Sequence, residues 1–400
     1  MKNKLKNIVL INDFDYTQGG ASKVAIDTAN LLCNKYNVYF FSGDSSGKCS
    51  LDEKVTRICT NQGECLKNKN KAIGAANGIY NFKAKRELKK LLSTLNKDET
   101  IVHVHGWTKC LSSSIFDICW KMDFYVVLTL HDYFTACPNG GYFNYRKNKI
   151  CHLNPMALKC INCNCDSRNY AFKLYRILRQ FVQNRVVKLN DKLTDVISIS
   201  RFSEDILKKT LNEDVKIHRV YNPIDLDKKI SRIDYRNNEY YLFVGRVSKE
   251  KGVETFCKVI TELKLKGIVV GDGDEKNSLQ SKYLDIEFVG WKNSEEVKKY
   301  MKKSKALIFP SLWYEGAPLT PLEAMQYGVP LISSNCNAAI DYITKENGFI
   351  FDNEEELKQN LKKIENGQLN PNKIKIPNEY LTDYSHYLIN TYNEVLYDCK

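Results

Sequence analysis

The sequence predicts an α/β protein made of two doubly wound domains, each built around a parallel sheet. Short apolar runs of strand length alternate with stretches whose apolar residues recur at helical spacing. A glycine pair follows the first strand, and the whole alternation starts again near residue 240. The 400 residues suffice for two or three domains at about 150 residues each.

The first half opens with a βαβ unit. The first predicted strand, Asn7–Asn12, is followed by Gly19 and Gly20. A helix over Ala21–Leu32 and a strand over Asn37–Ser42 come next. Two strands joined by a helix run parallel, because a crossover of that length returns the chain to the same end of the sheet. Further strands are predicted in this half at Ile101–Val104, Tyr125–Leu130 and Val196–Ser200.

The second half repeats the pattern after a polar stretch at 225–238. Its predicted strands are Tyr240–Val244, Gly267–Val270, Ile286–Val289, Ala306–Phe309 and Leu331–Ser334, and its predicted helices are Gly252–Leu263, Glu354–Ile364 and Glu379–Tyr397. We therefore predict a first domain over 1–222, a linker over 223–239 and a second domain over 240–378. The last segment, 379–400, is expected to form a helix that packs back towards the first domain.

Composition excludes several classes of protein. With 43% hydrophobic and 27% charged residues, the chain matches soluble globular enzymes rather than disordered, collagen-like or coiled-coil proteins. No uncharged apolar run reaches the roughly 20 residues of a membrane-spanning helix. The apolar stretch that follows the first lysines is too short for a secretory signal. We therefore expect the protein in the cytoplasm.

Charge is distributed unevenly along the chain. The net charge is +13, and residues 1–220 hold 35 Lys and Arg against 20 Asp and Glu, whereas the remainder holds 25 against 27. Such asymmetry favours an anionic partner for the first half, which can be nucleic acid, an anionic membrane or a phosphorylated substrate. A lysine-rich surface without any such partner accounts for the charge equally well.

The richest motif is FPSLWYEGAPLTPLEAMQYGVP at 309–330. A strand ends at Phe309, and a glycine loop follows it. A helix is predicted to begin in a capping box, with Thr320 as N-cap, Pro321 as first residue and Glu323 as third. Gly328 is expected to end that helix. A helix start behind a glycine loop offers free backbone N–H groups that can bind a diphosphate.

Three charged side chains are predicted to lie in loops at the carboxyl edge of the second sheet. Glu315 is in the glycine loop just described and has no capping role, and a loop carboxylate of this kind is expected to contribute little to stability. Arg246 and Lys251 follow the strand that ends at Val244. Cations at this edge can bind phosphate oxygens. The commoner alternative is that they are solvated loop charges.

These motifs resemble those of the retaining glycosyltransferases of family 4, the glycosyl transferases group 1 type with the GT-B fold. The resemblance rests on G-R-x-x-x-E-K-G at 245–252, V-G-D-G-D at 270–274 and E-x7-E at 315–323, in that order. It extends over nearly the whole chain and implies two Rossmann-like domains that face each other across a cleft. The implied activity is that of a retaining hexosyltransferase, which moves a sugar from a nucleotide-diphosphate sugar to a glycan or polyprenyl-linked acceptor in surface polysaccharide biosynthesis.

The resemblance also implies a role for each motif residue. Arg246 and Lys251 would bind the diphosphate, while Glu315 would contact the donor sugar. Glu323 would bind the ribose hydroxyls, and the loop at 290–293 would form the nucleobase wall. The implied catalytic set is His131, Arg246, Lys251 and Glu315. The other residues implied to bind the donor are Gly19, Gly20, Gly245, Gly316, Ala317, Pro318, Leu319 and Thr320.

Three histidines lie on or just after predicted strands of the first half. His131 follows the strand Tyr125–Leu130 and is similar to the histidine that the family places beside the donor sugar. Without the resemblance, a single histidine at a strand end is more often structural. His103 and His105 are two residues apart on one strand and therefore share a face. We interpret them as packing or cleft-wall residues, with His105 the better site candidate.

No cofactor is expected to be required for catalysis. Breaking the sugar–phosphate bond leaves negative charge on the diphosphate, which two cations and a helix N-terminus can stabilise. Asp272 and Asp274 are interpreted as turn residues rather than as metal ligands. The alternatives are another GT-B enzyme, such as a nucleotide-sugar epimerase, and a nucleotide-sugar-binding protein without catalysis. A NAD-dependent dehydrogenase is disfavoured, because the Gly19-Gly20 loop is not G-x-G-x-x-G.

Five of the fourteen cysteines lie within 137–165. Their spacing includes one C-x2-C and one C-x-C, and thiolates at such spacing can bind zinc. Buried free thiols are the main alternative, and a disulfide is not expected in the cytoplasm. Some bacterial family-4 sequences look similar here, and that likeness favours a structural zinc site formed by Cys137, Cys151, Cys160 and Cys165.

The segment 169–190 combines basic, aromatic and aliphatic residues at helical spacing. Such a helix can lie on an anionic membrane surface, and the eight Lys and Arg of residues 67–90 add to the positive charge of this half. The alternative is a domain helix whose apolar side packs into the core. We expect peripheral contact with the inner face of the cell membrane, and no motif points to nucleic acid.

Overall fold

The computed structural model describes residues 5–227 and 232–398. The chain divides into two compact units. Of the described residues, the first unit contains 5–141, 153–223 and 383–398, and the second contains 142–152, 224–227 and 232–382. The predicted linker therefore falls almost entirely within the second unit, where Tyr235 is fully buried. Residues 228–231 of that linker lie outside the described part of the chain.

Strands and helices alternate along most of the chain. The strands are β1 (Asn7–Phe14), β2 (Asn37–Asp44), β3 (Thr56–Cys59), β4 (Thr100–Val104), β5 (Tyr125–Thr129), β6 (Phe143–Asn144), β7 (Lys149–Ile150), β8 (Asp195–Ser198), β9 (Lys216–Arg219), β10 (Tyr240–Val244), β11 (Lys266–Val270), β12 (Ile286–Gly290), β13 (Ser304–Phe309), β14 (Leu331–Ser334) and β15 (Gly348–Phe351). The helices are α1 (Gly20–Leu32), α2 (Lys71–Ile79), α3 (Phe82–Leu92), α4 (Ser114–Lys121), α5 (Leu158–Ile161), α6 (Tyr170–Phe181), α7 (Leu189–Lys192), α8 (Arg201–Leu207), α9 (Val253–Glu262), α10 (Lys276–Lys282), α11 (Ser294–Lys302), α12 (Leu319–Gln326), α13 (Glu354–Glu365) and α14 (Tyr384–Asp398).

The first unit is organised around a seven-stranded parallel sheet in the order β3-β2-β1-β4-β5-β8-β9. All eight residues of β1 are buried, as expected for a central strand of a parallel sheet covered on both faces. The chain winds outwards in one direction from β1 and in the other from β4. Ligands of such sheets bind beyond the carboxyl ends of the strands where the direction changes.

The second unit contains a six-stranded parallel sheet in the order β12-β11-β10-β13-β14-β15. Its core includes Tyr241 and Phe243 of β10 and Phe256 of α9. The winding direction changes between β10 and β13, and ligands of such sheets bind beyond the carboxyl ends of the strands at this point. The predicted fold class, two doubly wound parallel-sheet domains, is confirmed.

A short hairpin, β6–β7, comes from the cysteine-rich segment in the first half of the sequence but belongs to the second unit. Its strands pair Phe143 with Ile150, and the N–H of Cys151 donates to the carbonyl of Tyr142 at 2.6 Å. No periodic pattern marks so short a pair of strands, so this hairpin is not predictable from the sequence.

The last helix begins later than its sequence suggested. Helix α14 starts at Tyr384 rather than at Glu379, because the Asp383 carboxylate accepts a hydrogen bond from the N–H of His386. It packs within the first unit, where the Tyr384 hydroxyl lies 2.7 Å from Oγ1 of Thr28. Across residues 5–227 and 232–398, none of the helices has the length and apolar content that crossing a bilayer requires.

Candidate active site

The loop after β10 carries the first pair of charged residues. Arg246 lies two residues beyond the end of this strand, and its Nη2 lies 2.5 Å from Oε1 of Glu250. The Ser248 hydroxyl donates to the same carboxylate oxygen at 2.8 Å. Glu250 is buried, whereas the Arg246 side chain is 59% exposed. One edge of the guanidinium is thus fixed by the protein while the rest can meet a ligand.

Gly252 allows the loop to turn into helix α9. Its φ is +67°, a conformation that favours glycine, and a Cβ at this position would lie 1.9 Å from the carbonyl oxygen of Pro310. The close approach brings the loop after β10 against the loop after β13. Lys251, the preceding residue, therefore lies near the glycine loop that contains Glu315.

Lys251 and Glu315 form an ion pair with 2.6 Å between Nζ and Oε1. Only 18% of the Lys251 side chain and 12% of the Glu315 side chain are exposed. Ser311 donates to the same carboxylate oxygen at 2.5 Å. Burial raises the pKa of Glu315, but the charge of Lys251 and the hydrogen bonds from Lys251 and Ser311 outweigh burial and hold the pKa below its usual value. Glu315 is therefore ionised at neutral pH.

Helix α12 begins just after this loop, but not in the predicted capping box. Its N-cap is Pro318 and its first residue is Leu319, so Thr320 is the second residue and Glu323 lies in the second turn. Pro321 is the third residue, where its missing N–H removes no helical hydrogen bond because the first N–H groups have no partner within the helix. The predicted capping box is wrong, whereas Gly328, with φ +86°, follows the helix as predicted.

The predicted donor-binding segment 316–320 is half-buried and leads into this helix start. Gly245 lies at the end of β10, where a Cβ on Gly271 would come within 1.8 Å of its carbonyl oxygen. The glycine at 271 is thus needed for the V-G-D-G-D turn to pack against the loop of Arg246. Within that turn, Asp272 accepts a hydrogen bond from the N–H of Gly273.

Two aromatic features of the second unit were not predicted from the sequence. Trp291, in the loop predicted as a nucleobase wall, is 74% exposed. Tyr142 of the hairpin segment packs its ring 6.1 Å from that of Tyr314, the neighbour of Glu315. The exposed tryptophan could have been noted from its place after β12, whereas nothing in the sequence indicates that residue 142 contacts residue 314.

Gly19 and Gly20 lie at the start of α1 in the first unit. Both are exposed, and a Cβ on either would have no atom within 4 Å. The φ of Gly19 is 163°, an extended value open to any residue. Neither packing nor backbone geometry requires glycine here, so the pair provides an open surface that a ligand can approach closely.

His131 lies two residues beyond the end of β5 and is half-buried. Burial lowers its pKa to about 4, so the imidazole is neutral at pH 7. Its Nε2 lies 2.9 Å from Nδ1 of His105. His103 lies on the other side of His105 and has both ring nitrogens in hydrogen bonds, to the hydroxyls of Tyr392 and Thr129. His103 is therefore a packing residue, which is one of the two roles that the sequence left open for it.

The structure divides the remaining predicted site residues between the two units. Arg246, Lys251, Glu315, Glu323 and the segment 316–320 belong to the second unit. His131 and the Gly19-Gly20 pair belong to the first. Within the second unit, the contacts described above bring Lys251 and Glu315 together at one sheet edge.

The cysteines proposed as a zinc set are not assembled in the described residues. Cys137, Cys160 and Cys165 belong to the first unit, whereas Cys151 belongs to the second. Cys160 Sγ lies 3.5 Å from Nζ of Lys173, which is fully buried. Burial raises the pKa of the Cys165 thiol to about 11. Within residues 5–227 and 232–398 no group of three or more His, Cys, Asp or Glu side chains is placed to hold a metal ion, and the zinc site stays a prediction.

Helix α6, from the basic segment 169–190, has an unusual orientation. Its polar residues Lys173, Arg179 and Gln180 are buried, and Arg179 donates to the carbonyl of Pro138 at 3.0 Å. Its apolar residues Leu174, Leu178 and Phe181 are 47%, 49% and 50% exposed. Their spacing of four and three residues places them on one helical face. The alternative of an apolar side packed into the core is wrong for this face.

Both halves of the chain match family models of glycosyltransferases. Residues 18–228 match the family described as Glycosyltransferase Family 4, and residues 226–379 match the family described as Glycosyl transferases group 1. Over 186 residues, the chain is 30% identical to the UDP-Gal:alpha-D-GlcNAc-diphosphoundecaprenol alpha-1,3-galactosyltransferase of Escherichia coli, a match that covers 40% of this chain and 47% of that protein. The chain spans less than two thirds of the length of the first curated relatives that it matches, 62% and 64% for two of them.

Solved structures show the same fold. The apo form of the lipopolysaccharide outer core galactosyltransferase WaaB is 18% identical and has a TM-score of 0.60, with 98% of this chain and all of that chain covered. HepE of Anabaena in complex with UDP is 13% identical and has a TM-score of 0.60, with 96% and 100% covered. These likenesses confirm the predicted GT-B fold. By its match over more than half of its length, the chain belongs to glycosyltransferase family 4.

Proposed function

We propose that this chain is a retaining hexosyltransferase of surface polysaccharide synthesis. It moves a sugar from a nucleotide-diphosphate sugar to a glycan or polyprenyl-linked acceptor. The observation that carries the proposal is the contact between Lys251 and Glu315. That contact keeps a buried carboxylate ionised beside the start of α12, at the edge where a doubly wound sheet binds its ligands.

The donor diphosphate is proposed to bind between α12 and the loop after β10. The first N–H groups of α12 have no partners within the helix and lie at the positive end of its dipole. The exposed part of the Arg246 guanidinium can form bidentate hydrogen bonds to phosphate oxygens. UDP-sugars are the first donors to test, since HepE was solved with UDP and the Escherichia coli relative takes its name from UDP-Gal.

The proposed reaction breaks the bond between the sugar C1 and the diphosphate oxygen. The electron pair leaves with the diphosphate, whose charge Arg246, Lys251 and the start of α12 stabilise. The acceptor hydroxyl forms the new bond to C1 on the same face, and its proton passes to the departing phosphate oxygen. Attack and departure on one face retain the configuration of the sugar.

Glu315 and His131 are proposed to orient the donor sugar. An ionised carboxylate only accepts hydrogen bonds, so Glu315 would bind sugar hydroxyls rather than donate a proton. The neutral imidazole of His131 supplies a hydrogen bond without adding positive charge near a sugar that becomes positive in the transition state. Glu323, in the second turn of α12, is proposed to bind the ribose hydroxyls.

A direct experiment is a screen of UDP- and GDP-sugars by thermal shift, followed by transfer assays with the donors that raise the melting temperature. We expect a UDP-sugar to stabilise the protein and the anomeric configuration of the product to equal that of the donor. Conversion of the donor into its epimer without an acceptor would instead show an epimerase. Binding without turnover over a panel of acceptors would favour a non-catalytic nucleotide-sugar-binding protein.

We further propose that the first unit works peripherally at the cytoplasmic face of the cell membrane. The exposed face of α6, formed by Leu174, Leu178 and Phe181, extends to Arg185, which is exposed and four residues beyond Phe181. In such an arrangement the apolar side chains can enter the boundary of the acyl chains, while the cation binds the anionic headgroups of the bilayer. The net charge of residues 1–220 supports the same partner.

A further inference from the structure

His105 lies between two other histidine rings at the carboxyl ends of β4 and β5. Its ring centroid is 4.1 Å from that of His103 and 5.2 Å from that of His131. Its Nδ1 is 2.9 Å from Nε2 of His131. Its own Nε2 is buried and makes no hydrogen bond within the described part of the chain. His103 cannot supply one, because Tyr392 and Thr129 occupy both of its ring nitrogens.

These contacts decide which imidazole donates. A hydrogen bond between two neutral imidazoles needs one N–H donor and one bare nitrogen as acceptor. If His131 donated from Nε2, the single proton of His105 would lie on its own Nε2, as a buried N–H without an acceptor. If His105 donates from Nδ1, its Nε2 is instead a bare acceptor. Orphaned buried N–H groups are rarer than underused acceptors, so the second arrangement is favoured.

We propose that His105 is a positioning residue for His131: it donates its Nδ1 proton to Nε2 of His131 and thereby keeps the single proton of His131 on Nδ1. The inference rests on the proposed function, in which His131 meets the donor sugar. His131 then offers an N–H at one fixed ring position to a sugar oxygen at every turnover. The ring nitrogen that carries the proton is set by the partner of the other nitrogen.

The buried surroundings of His105 and His131 favour the neutral form of both imidazoles. Burial lowers the pKa of His103 to about 3 and that of His131 to about 4, and it lowers the pKa of His105 as well. A second proton on His131 would turn its Nε2 into a donor towards His105 and force the proton of His105 onto the buried, partnerless Nε2. The hydrogen bond and the burial therefore both oppose the cationic form.

The tautomer can be read directly from two-bond ¹H–¹⁵N spectra of the full chain labelled at its six histidines. His131→Gln identifies the His131 signals by their loss. We expect the wild-type protein to show His131 protonated at Nδ1, and His105→Phe to move that proton wholly or partly to Nε2. A wild-type His131 protonated at Nε2 would overturn the proposal, as would a His131 spectrum that His105→Phe leaves unchanged.

Kinetics provide a second readout with a conservative rescue. His105→Phe keeps a ring in the buried space but removes the donor, and we expect kcat to fall by about 10- to 100-fold at unchanged nucleotide affinity. His105→Asn places an amide N–H near the position of Nδ1 and should restore most of kcat, and it also serves as the test if the phenylalanine variant does not fold. Tyr392→Phe, which loses a hydrogen bond to His103 only, should keep kcat within about twofold.

The two readouts separate failure of this inference from failure of the proposed function. The spectrum needs neither donor nor acceptor, so it reports the tautomer even if no transfer is found. Transfer with an unaltered kcat in a folded His105→Phe protein would leave the glycosyltransferase proposal intact and reject the role of His105.

Discussion

Nζ of Lys251 lies 2.6 Å from Oε1 of Glu315, although the two residues are 64 positions apart in the sequence. The contact exists because Gly252 lets the loop after β10 pass against Pro310 at the end of β13. In the proposed function, Lys251 meets the leaving diphosphate and Glu315 meets the donor sugar. The pair therefore links the two ends of the bond that the proposed reaction breaks.

Glu315→Gln should reduce transfer by at least about 100-fold at saturating donor, the order lost when one preorganised electrostatic contact is removed. The amide keeps the shape of the side chain but not its charge, so nucleotide affinity should change less than kcat. Initial rates and nucleotide titrations measure the two effects. Glu354→Gln removes a carboxylate from the more exposed ion pair with Lys258 in the same unit and should leave transfer unaltered.

Arg246→Ala should weaken the binding of UDP by about 1.5–3 kcal/mol, the net value of a hydrogen bond to a charged group. The variant also leaves the buried Glu250 carboxylate without its ion-pair partner, so it should lose some stability as well as affinity. Calorimetric titration of both proteins with UDP measures the difference. Arg236→Ala, at another exposed arginine of the second unit, is the control, and equal affinities for all three proteins would remove Arg246 from the site.

Trp291→Ala should lower nucleotide affinity by about 1–3 kcal/mol if the base stacks on the exposed indole. The loss should be similar for UDP and UMP, because the contact is to the base and not to the phosphates. Fluorescence titrations with both nucleotides test this. Leu284→Ala truncates another strongly exposed apolar residue of the second unit and should have no effect.

Asp117 should stabilise the first unit in a pH-dependent manner. Burial raises its pKa, but hydrogen bonds from Lys85, Tyr80 and Lys121 outweigh burial and lower the pKa from 3.8 to about 2. Since the folded pKa is below the unfolded one, the stabilisation of about 2 kcal/mol is complete above the unfolded pKa and is lost as pH falls through the folded pKa.

Denaturant unfolding of wild type and Asp117→Asn at a series of pH values measures this contribution. The difference in the free energy of unfolding should be constant near neutrality and should shrink as the pH falls below 3.8 towards 2. Asp123→Asn, at an exposed carboxylate paired with Lys97, should show no comparable trend. A difference that grows on acidification would contradict the assignment.

Leu178→Asp should abolish binding to vesicles that contain anionic lipid, because it puts a carboxylate in the middle of the exposed face of α6. Wild-type protein should float with vesicles of phosphatidylglycerol and phosphatidylcholine, less so at high salt, and not with phosphatidylcholine alone. Leu284→Asp changes an exposed leucine of the second unit and should bind like wild type. If vesicle binding depends neither on the charge of the lipid nor on the salt concentration, the membrane proposal is wrong.

Much of the fold could be predicted because its signals are local. β10 and β14 have the predicted limits: β10 is a short apolar run, and β14 begins with two apolar residues directly after a proline. The strands β3, β9 and β15 were not predicted, and all three lie at sheet edges. β3 and β9 mix polar and apolar residues and give no clear pattern, whereas β15 is a run of only four residues that begins with glycine. The predicted start of helix α14 was also wrong, because the side chain of Asp383 caps the helix at a later position than the apolar pattern indicated.

The candidate site was predicted by residue type but not by its contacts. The sequence gives no sign that Glu250 is the partner of Arg246, or that His105 is the partner of His131. Glu315 was expected to contribute little to stability, yet its side chain is buried in an ion pair, so its removal should carry a measurable cost. The contacts of Lys251 with Glu315 and of His105 with His131 join loops that meet only after the sheet of their own unit has formed, whereas that of Arg246 with Glu250 depends on the fold of a single loop.

The placement of the hairpin and of the last helix has a consequence for how the chain folds during synthesis. Residues 142–152 are synthesised long before the rest of the second unit, to which they belong, and residues 383–398 join the first unit only after the whole of the second unit has been synthesised. Neither unit is therefore built from one continuous segment. The usual order, in which the N-terminal domain folds completely before the next domain is synthesised, is not possible here. A fragment ending at residue 223 would lack α14 and expose the surface that receives it, so separate expression of the two halves as simple fragments should give aggregation-prone products.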